Sequence, residues 1–274
     1  MKKINRRSFL AAAGLTAAAL ALTACGGSAS STASSTASSA ASSTSAAAEL
    51  TTVEAGKLTM ATNATFPPYE MTTDSGEIEG IDVDTAKAIA EKLGLELQID
   101  DMDFDAALLS VQQGKADIVM AGVTVTDERK AVMDFSDSYA TGIQSIIVPE
   151  GSDIASPDDL AGKKIVTHRG TTGYIYCSDD FGDDAVVAYD DGLTAVQALK
   201  NGQVDAVVID NAPAKEYVAA NPGLVILDTS YAEEDYAIGM AKGSALEDAV
   251  NAALEELKAD GTLQSIVDKY ITAE

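Results

Sequence analysis

The chain has 274 residues, of which 46% are hydrophobic and 22% are charged, so it can form one large domain or two lobes with ample core. Its formal net charge of −25 argues against nucleic acid as a partner and disfavours direct docking on anionic lipid. No run of about 18 apolar residues follows the N-terminal leader, which predicts that the mature chain does not span a membrane.

The first 24 residues are predicted to be a lipoprotein-type signal peptide. Four basic residues lie within positions 2–7, and an apolar stretch rich in Ala and Leu covers 9–22. Leu22-Thr23-Ala24-Cys25 then looks like a bacterial lipobox, in which the cysteine becomes the first mature residue and carries lipid on its sulfur. An ordinary signal peptide containing a cysteine is the alternative, and an Arg-Arg pair leaves twin-arginine export open. We expect an extracytoplasmic protein, lipid-anchored to the cell membrane through Cys25.

Residues 25–52 are predicted to be a flexible linker behind this anchor. Ser, Ala, Thr and Gly make up almost all of positions 26–48, and such a composition cannot bury enough apolar surface to fold. Cys177 is the only cysteine beyond Cys25, which excludes a disulfide-stapled fold. We therefore interpret Cys177 as a small buried apolar residue.

After the linker, predicted strands alternate with predicted helices. Apolar residues at helical spacing and a closing Gly94 indicate a helix over 82–93, and two prolines keep the preceding loop, 63–70, extended. The other predicted elements are strands 57–62 and 95–99, helix 105–113, a buried strand at 117–120, strand 164–168, helix 193–201, a buried strand opened by 202–208, and a final helix over 245–258.

An internal echo divides these elements into two halves. Residues 114–120 and 202–208 have similar sequences, and each follows a predicted helix of similar length. A looser echo relates strand 57–62 to 164–168. Two matches in the same order predict an α/β fold with two lobes, each a mostly parallel sheet flanked by helices.

The predicted lobes are joined by a two-strand hinge. We expect lobe 1 to comprise 53–141 and 237–274 and lobe 2 to comprise 142–236, so that the chain crosses twice and can close around a ligand. Ligands of parallel sheets bind beyond the C-terminal ends of the strands. The loops expected to line the cleft are 63–70, 122–129, 168–174 and 210–213.

Arg129 is the first candidate binding residue. Thr126 is a good helix N-cap, and a cation in the first turn of the following helix opposes the helix dipole. An anion held between the guanidinium and the free backbone N–H groups of 122–126 would offset that cost. The alternative is that Arg129 pairs with Asp127 or Glu128 on a solvated face.

Asp210, from the other lobe, is the second candidate. Arg129 and Asp210 together would satisfy a zwitterion with a carboxylate and an ammonium on one carbon, which couples binding to closure. Asp210 can also be a helix N-cap, with Pro213 just inside the next helix, and the two roles are compatible.

Other residues of the predicted cleft suit contacts to the same ligand. Phe66 and Phe104 are expected in loops, where they would sandwich an aliphatic ligand stem. Thr124, Thr171 and Thr172 offer hydroxyl groups. Gly122 and Gly170 allow a close approach of the backbone.

Several of these segments belong to motifs with a recognisable order and spacing. The motifs are Phe66-Pro67-Pro68-Tyr69-Glu70, Gly80-Ile81-Asp82-Val83-Asp84, residues 122–129, Asp134-Phe135-Ser136, Gly170-Thr171-Thr172 and residues 205–210. Over about residues 55 to 272 the chain resembles family 3 of the bacterial extracellular solute-binding proteins, the receptors of polar amino-acid ABC importers.

The resemblance implies a two-lobed periplasmic-binding-protein fold that captures a free, polar amino acid and delivers it to permease subunits of an ABC transporter. It implies that Arg129, with Thr124 and Thr172, binds the α-carboxylate. It also implies that Asp210 and the Gly122 carbonyl take the α-ammonium, while Phe66 and Phe104 flank the side chain. A monomer without a cofactor or a metal is expected.

Three positions depart from the pattern of this family. Asn63 stands where many relatives carry Asp, an acid that helps to hold a cationic or amide side chain, so it argues mildly against a Lys or Arg ligand. His168 and Arg169 stand where Gln or Lys and a neutral residue are frequent, and they would favour an acidic or amide side chain if they faced the cleft. A plain surface position for His168 is equally open.

Two other functions are alternatives to that of an amino-acid receptor for transport. An enzyme on this fold, of a dehydratase-like kind, would need an acid or base in the cleft, and the only candidates, Glu70 and His168, lack an obvious activating partner. No Ser/His/Asp set and no metal-ligand cluster is apparent in the sequence. A sensory module that reports an amino acid to another membrane protein is the second rival.

Overall fold

The computed structural model describes residues 50–271. The predicted signal peptide, the anchor at Cys25, almost all of the linker, and residues 272–274 lie outside the described residues. Among the residues described, no helix is both long and apolar enough to cross a bilayer.

Strands and helices alternate along most of the described chain, as predicted. The strands are β1 (Lys57–Thr62), β2 (Thr65–Phe66), β3 (Glu70–Thr72), β4 (Ile78–Glu79), β5 (Glu96–Asp101), β6 (Ile118–Val119), β7 (Met133–Phe135), β8 (Ala140–Pro149), β9 (Ile165–His168), β10 (Val186–Tyr189), β11 (Ala206–Asp210), β12 (Leu224–Ile226), β13 (Ala232–Tyr236) and β14 (Gly239–Ala241). The helices are α1 (Ile81–Leu93), α2 (Phe104–Gln112), α3 (Asp127–Val132), α4 (Thr172–Phe181), α5 (Gly192–Lys200), α6 (Asn211–Ala220), α7 (Glu247–Ala259) and α8 (Thr262–Tyr270).

Two sheets form the centres of two lobes. The first has the order β5-β1-β6-β14-β7, and the second has the order β10-β9-β11-β8-β12 with β13 also paired to β8. In each sheet three strands are parallel, β5-β1-β6 in the first and β10-β9-β11 in the second, and helices connect them. Buried hydrophobic residues such as Leu58, Ile118, Val166 and Val207 fill the centres of these strands.

The sheets are mixed, so the prediction of mostly parallel sheets is only partly right. β8 brings the chain into the second sheet and β14 returns it to the first, and each inserts between neighbours that run in the opposite direction. A third small antiparallel sheet, β2-β3-β4, begins within the segment 63–70, for which the sequence predicts only an extended loop.

The chain passes between the two sheets twice, through segments that hydrogen-bond to each other. We call these segments, residues 136–139 and 237–238, the hinge. The N–H of Ser136 donates to the carbonyl of Ile238 at 3.0 Å, and the N–H of Tyr139 donates to the carbonyl of Tyr236 at 2.9 Å. Paired short crossings let the lobes rotate while their sheets remain intact.

Candidate functional site

A cavity of about 20 Å³ lies between the lobes, and all ten predicted ligand-binding residues line it. The ten are Asn63, Phe66, Phe104, Gly122, Thr124, Arg129, His168, Thr171, Thr172 and Asp210. The lining also includes five residues to which no sequence motif assigns a ligand contact: Glu70, Ala121, Gln144, Ile209 and Tyr236.

The segment after β6 carries the first group of these residues, and its shape requires glycine at position 122. Gly122 has a φ of +55°, and a Cβ there would lie 2.9 Å from Cε1 of Phe66 and 3.2 Å from the Tyr236 ring. Its N–H donates to Asp82 at 2.9 Å, and the N–H of Val125 donates to the carbonyl of Asp235 at 3.0 Å. The backbone donors expected to face an anion are therefore partly engaged within the protein.

Arg129 follows on α3, and its guanidinium is buried rather than on a solvated face. It is 8% exposed, with Nη1 donating to the Thr124 carbonyl at 2.8 Å and Nη2 to the Gly170 carbonyl at 3.2 Å. No carboxylate of residues 50–271 lies within ion-pairing distance of it, so the alternative of a pair with Asp127 or Glu128 is wrong.

The environment of Arg129 combines a buried positive charge with an aromatic ring and two carbonyl groups. Burial lowers the pKa of Arg129, and the negative charge of Glu234 partly opposes this. The Phe104 ring centroid lies 5.4 Å from the guanidinium carbon. Because α3 has only six residues, its dipole would add little to the attraction of an anion. The buried positive charge of Arg129, which has only two carbonyl partners, would attract an anion more strongly.

Asp210 at the end of β11 caps a helix and lies in the cavity wall. Its Oδ1 accepts from the N–H of Ala212 at 2.9 Å, which caps α6, and its Oδ2 accepts from the N–H of Ile143 and the hydroxyl of Tyr236, both at 2.9 Å. Burial raises the pKa of Asp210 to about 6, although these three donors favour the charged form. The N-cap interpretation is right, and the carboxylate also faces the cavity.

His168 ends β9 and is buried in the cavity wall, so the surface alternative is wrong. Its ring centroid lies 6.0 Å from that of Phe104, and its Nδ1 is buried without a hydrogen-bond partner. Burial lowers its pKa, which favours the neutral imidazole. Arg169 does not line the cavity, because its guanidinium pairs with Asp190 at 2.7 Å on the surface.

Thr171 and Thr172 lie at the start of α4. The Thr171 hydroxyl donates to the His168 carbonyl at 2.8 Å, and the Thr172 hydroxyl lies 3.4 Å from that of Thr124 in the other lobe. Thr172 is therefore the better placed of the two for a contact shared between the lobes.

The two aromatic residues lie in regular elements, so the prediction that they stand in loops is wrong. Phe66 belongs to β2 and stacks on Tyr69 at 5.8 Å between centroids, while Phe104 is the first residue of α2. Both remain close to the cavity because the two elements begin or end at its edge.

The amide of Asn63 is held within its own lobe, where it donates to the Met102 carbonyl at 2.9 Å and accepts from Thr65 at 2.8 Å.

The buried acid Glu234 adjoins the site, and no sequence pattern points to it. It lies on β13 in a run of acidic residues, and its Oε2 accepts from the Thr124 hydroxyl and from Nε2 of Gln144, both at 3.0 Å. Glu70 is a second buried acid, close to the Asp82 carboxylate. Burial and the neighbouring charge of Asp82 raise the pKa of Glu70 well above its usual range.

The cavity holds about one water molecule, so the lobes must part to admit anything larger. Contacts across the cleft hold the present arrangement. Besides those of Arg129 and Thr124, the Tyr217 hydroxyl of α6 donates to the carbonyl of Thr65 in β2 at 2.8 Å. The site is thus built from residues of both lobes.

Residues 58–273 match the family described as bacterial extracellular solute-binding proteins, family 3. The chain belongs to this family. It is 33% identical to a probable histidine-binding protein of Neisseria gonorrhoeae over 99% of this chain and 98% of the relative. It is also 33% identical to the L-cystine-binding protein TcyJ of Escherichia coli strain K12, over 81% and 85% of the two chains. An ancestral arginine-binding protein, solved bound to glutamine, has a TM-score of 0.76 and 43% identity over 80% of this chain and 99% of that one.

Membership in this solute-binding family confirms the predicted two-lobed α/β fold and the family resemblance of the sequence motifs. Members of the family are extracytoplasmic substrate-binding proteins and not enzymes, which confirms the choice of a binding protein over a dehydratase-like enzyme. Glu70 and His168 are accordingly parts of a binding cavity rather than a catalytic pair.

Proposed function

We propose that this solute-binding protein captures a free polar amino acid between its lobes and delivers it to the permease subunits of an ABC importer. One observation carries the proposal: a buried guanidinium without a carboxylate partner in residues 50–271 shares a cavity with a buried carboxylate from the other lobe. A zwitterion offers each of these groups a partner of opposite charge.

The α-carboxylate binds Arg129, with help from the hydroxyl groups of Thr124 and Thr172. For this contact the Nη2 group of Arg129 exchanges its bond to the Gly170 carbonyl for one to the ligand, because the guanidinium geometry suits a carboxylate better. Since Arg129 and Thr172 belong to different lobes, the ligand is held firmly only when the lobes close.

The α-ammonium binds Asp210 and the carbonyl of Gly122. An ionised carboxylate has about four lone-pair sites, and protein donors occupy three of those on Asp210. One site therefore stays available to the ammonium. The positive φ of Gly122 turns its backbone beside the Phe66 ring and toward the same cavity.

The ligand side chain passes between Phe66 and Phe104 toward Asn63 and His168. The named ligands of the relatives are histidine, cystine, arginine and glutamine, so polar side chains of different charge suit this family. The proposal therefore extends to polar amino acids as a class, with the specificity set by residues at the far end of the cavity.

The same proposal places the protein at the outer face of the cell membrane. We propose that Cys25 is lipidated, that residues 25–52 tether the body as a flexible linker, and that the protein acts as a monomer. Lobe 1 comprises 53–141 and 237–274, and lobe 2 comprises 142–236. The leader sequence and the net charge of −25 support a lipid tether rather than direct adsorption to anionic lipid.

A thermal-shift screen of residues 50–274 against the twenty common L-amino acids tests the proposal. A ligand that binds only the folded state raises the melting temperature by mass action, so one or a few polar amino acids should give a clear shift. Absence of a shift with every amino acid, in protein first unfolded and refolded to remove retained ligand, would contradict it.

A further inference from the structure

Glu234 is a buried acid directly beside the residues proposed to bind the ligand carboxylate. It is 6% exposed, and its Oε1 is buried without a hydrogen-bond partner in the part of the chain that the structure describes. Its Oε2 accepts one hydrogen bond from Thr124 and one from Gln144, which stands on β8 of the second sheet. The backbone of Tyr236, two residues further along β13, pairs with that of Thr124 and fixes the two side chains near each other.

The Thr124 hydroxyl cannot serve Glu234 and a ligand carboxylate at the same time. A threonine hydroxyl has one proton, and a carboxylate can only accept hydrogen bonds. In the observed arrangement the proton points to Oε2 of Glu234, so Thr124 presents only lone pairs to the cavity. Those lone pairs suit the Thr172 hydroxyl, 3.4 Å away, and not a carboxylate.

The charge of Glu234 acts on the same region. Among the charges around Arg129, that of Glu234 contributes most to keeping the guanidinium protonated against the effect of burial. Its charge also adds to burial in raising the pKa of Tyr176, a phenol beside the cleft. A second carboxylate brought to Arg129 therefore meets the field of one that is already there.

We propose that Glu234 is an internal competitor of the ligand carboxylate, which holds the Thr124 hydroxyl in the ligand-free protein and limits the affinity of the site. The inference rests on the proposed function. Binding requires Thr124 to turn its proton from Glu234 to the ligand, and Glu234 then keeps only the bond from Gln144 inside the protein. Glu234 is thus a positioning residue that acts through Thr124.

Glu234→Gln tests this with little change in shape. With its oxygen in the place of Oε2, a glutamine still accepts from Gln144, but as a neutral acceptor it holds the Thr124 proton less strongly than a carboxylate does, and the repelling charge is removed. We expect ligand binding about fivefold to twentyfold tighter than in the wild type. The matched control is Glu233→Gln, which makes the same charge change at an exposed position of β13 and should leave the affinity unchanged.

Because the ligand is a class, the probe is an equimolar mixture of the common L-amino acids, titrated by calorimetry into protein refolded free of ligand. The wild type, both glutamine variants and Thr124→Val and Thr124→Ser in each background are compared. The gain from Glu234→Gln should disappear beside Thr124→Val and return beside Thr124→Ser. A role limited to stabilising the fold would move the melting temperature but not produce this pattern.

The outcomes separate the two proposals. If the wild type and Glu233→Gln bind the mixture but Glu234→Gln binds equally or more weakly, the competition is wrong while the proposed function stands. If no variant binds the mixture, the proposed function is wrong, and the competition falls with it.

A second measurement needs no ligand. In urea unfolding, the effects of Thr124→Val and Glu234→Gln on the free energy of unfolding should be non-additive, and additive effects would contradict the Thr124–Glu234 bond.

Discussion

At the scale of single residues, the cleft is a place where charged groups are buried with incomplete partners. Arg129 has carbonyl groups instead of a carboxylate, His168 has a free Nδ1, and Asp210 has three donors for about four lone-pair sites. Such arrangements cost folding free energy, and they persist where a ligand supplies the missing partner. Each residue can therefore be tested by its effect on ligand affinity separately from its effect on stability.

Arg129→Ala should abolish binding of the amino acid that gives the largest thermal shift. Removing one partner of a buried charge-assisted hydrogen bond costs about 2–5 kcal/mol of affinity, which is roughly thirtyfold or more in Kd. The ligand-free protein should keep its fold, because the variant removes a buried charge that has no carboxylate partner in residues 50–271. Lys130→Ala, an exposed neighbour on α3, serves as the control in the same calorimetric titration. Near-normal affinity in Arg129→Ala would contradict the role of the guanidinium.

The affinity should fall as the pH is lowered through about 6. Asp210 must be ionised to bind an ammonium, and burial raises its pKa to about 6, so below that pH each ligand must displace a proton. We expect the Kd to rise toward tenfold per pH unit below 6, when ligand ionisation is constant.

Asp82 provides the control for this titration, because burial raises its pKa to about 6 as well. Asp82→Asn and Glu70→Gln remove the ionisation of the two other buried acids with a raised pKa, so a pH dependence that persists in both variants is assigned to Asp210, whereas one that vanishes would contradict the assignment. Ionisation of Asp210 has the opposite effect on the free energy of unfolding from its effect on ligand affinity. A carboxyl with a raised pKa binds its proton more tightly in the folded state, so ionisation of Asp210 destabilises the ligand-free protein as pH rises from 3.8 toward 6.

At the scale of elements, Gly170 between β9 and α4 lets the two lobes close. It has a φ of +74°, and a Cβ there would overlap the carboxylate of Asp105 on α2 of the other lobe. Asp105 is exposed and its side chain can turn aside, so Gly170→Ala should weaken binding modestly, with a slightly smaller decrease in the radius of gyration on ligand addition. Small-angle scattering with and without the amino acid measures the decrease.

Gly243→Ala is the matched control, because Gly243 also has a φ of +74° and a Cβ at that position would meet no atom within 4 Å. Both variants place alanine at the same φ, so a difference in affinity between them reports the contact of the new methyl group with Asp105. Equal affinities in the two variants would show that closure does not require this approach.

Much at this scale follows from the sequence, because helix periodicity and glycine stops are local signals. The helix predicted over 82–93 is α1, and the strand at 57–62 is β1, with bounds that differ by at most one residue. Strand direction is not local: β8 and β14 run opposite to their neighbours because of where the chain crosses between sheets. The partners of Glu234 likewise depend on β13 lying against both Thr124 and Gln144, a contact between distant segments that no spacing encodes.

At the scale of the whole molecule, two lobes joined by the hinge explain why the site residues come from both halves of the sequence. The internal echo predicts the paired lobes, and the position of loops after strands predicts which residues meet, since the ten candidates share one cavity. The identity of the ligand is not predicted, because it depends on side-chain directions within a few ångströms at the far end of the cavity.

At the same scale, the net charge of −25 bears on how the protein associates with the membrane, and changing a single residue tests this association. An acidic body is repelled by anionic lipid, so stable association with the membrane requires a hydrophobic anchor. Cys25→Ala should therefore move the protein from the membrane fraction to the soluble fraction while leaving the affinity for amino acids unchanged. Cys177→Ala, which removes the buried cysteine of α4, should leave the protein in the membrane fraction. Retention of Cys25→Ala in the membrane fraction would mean that the leader itself remains as an anchor, because the described body has no helix able to cross the bilayer.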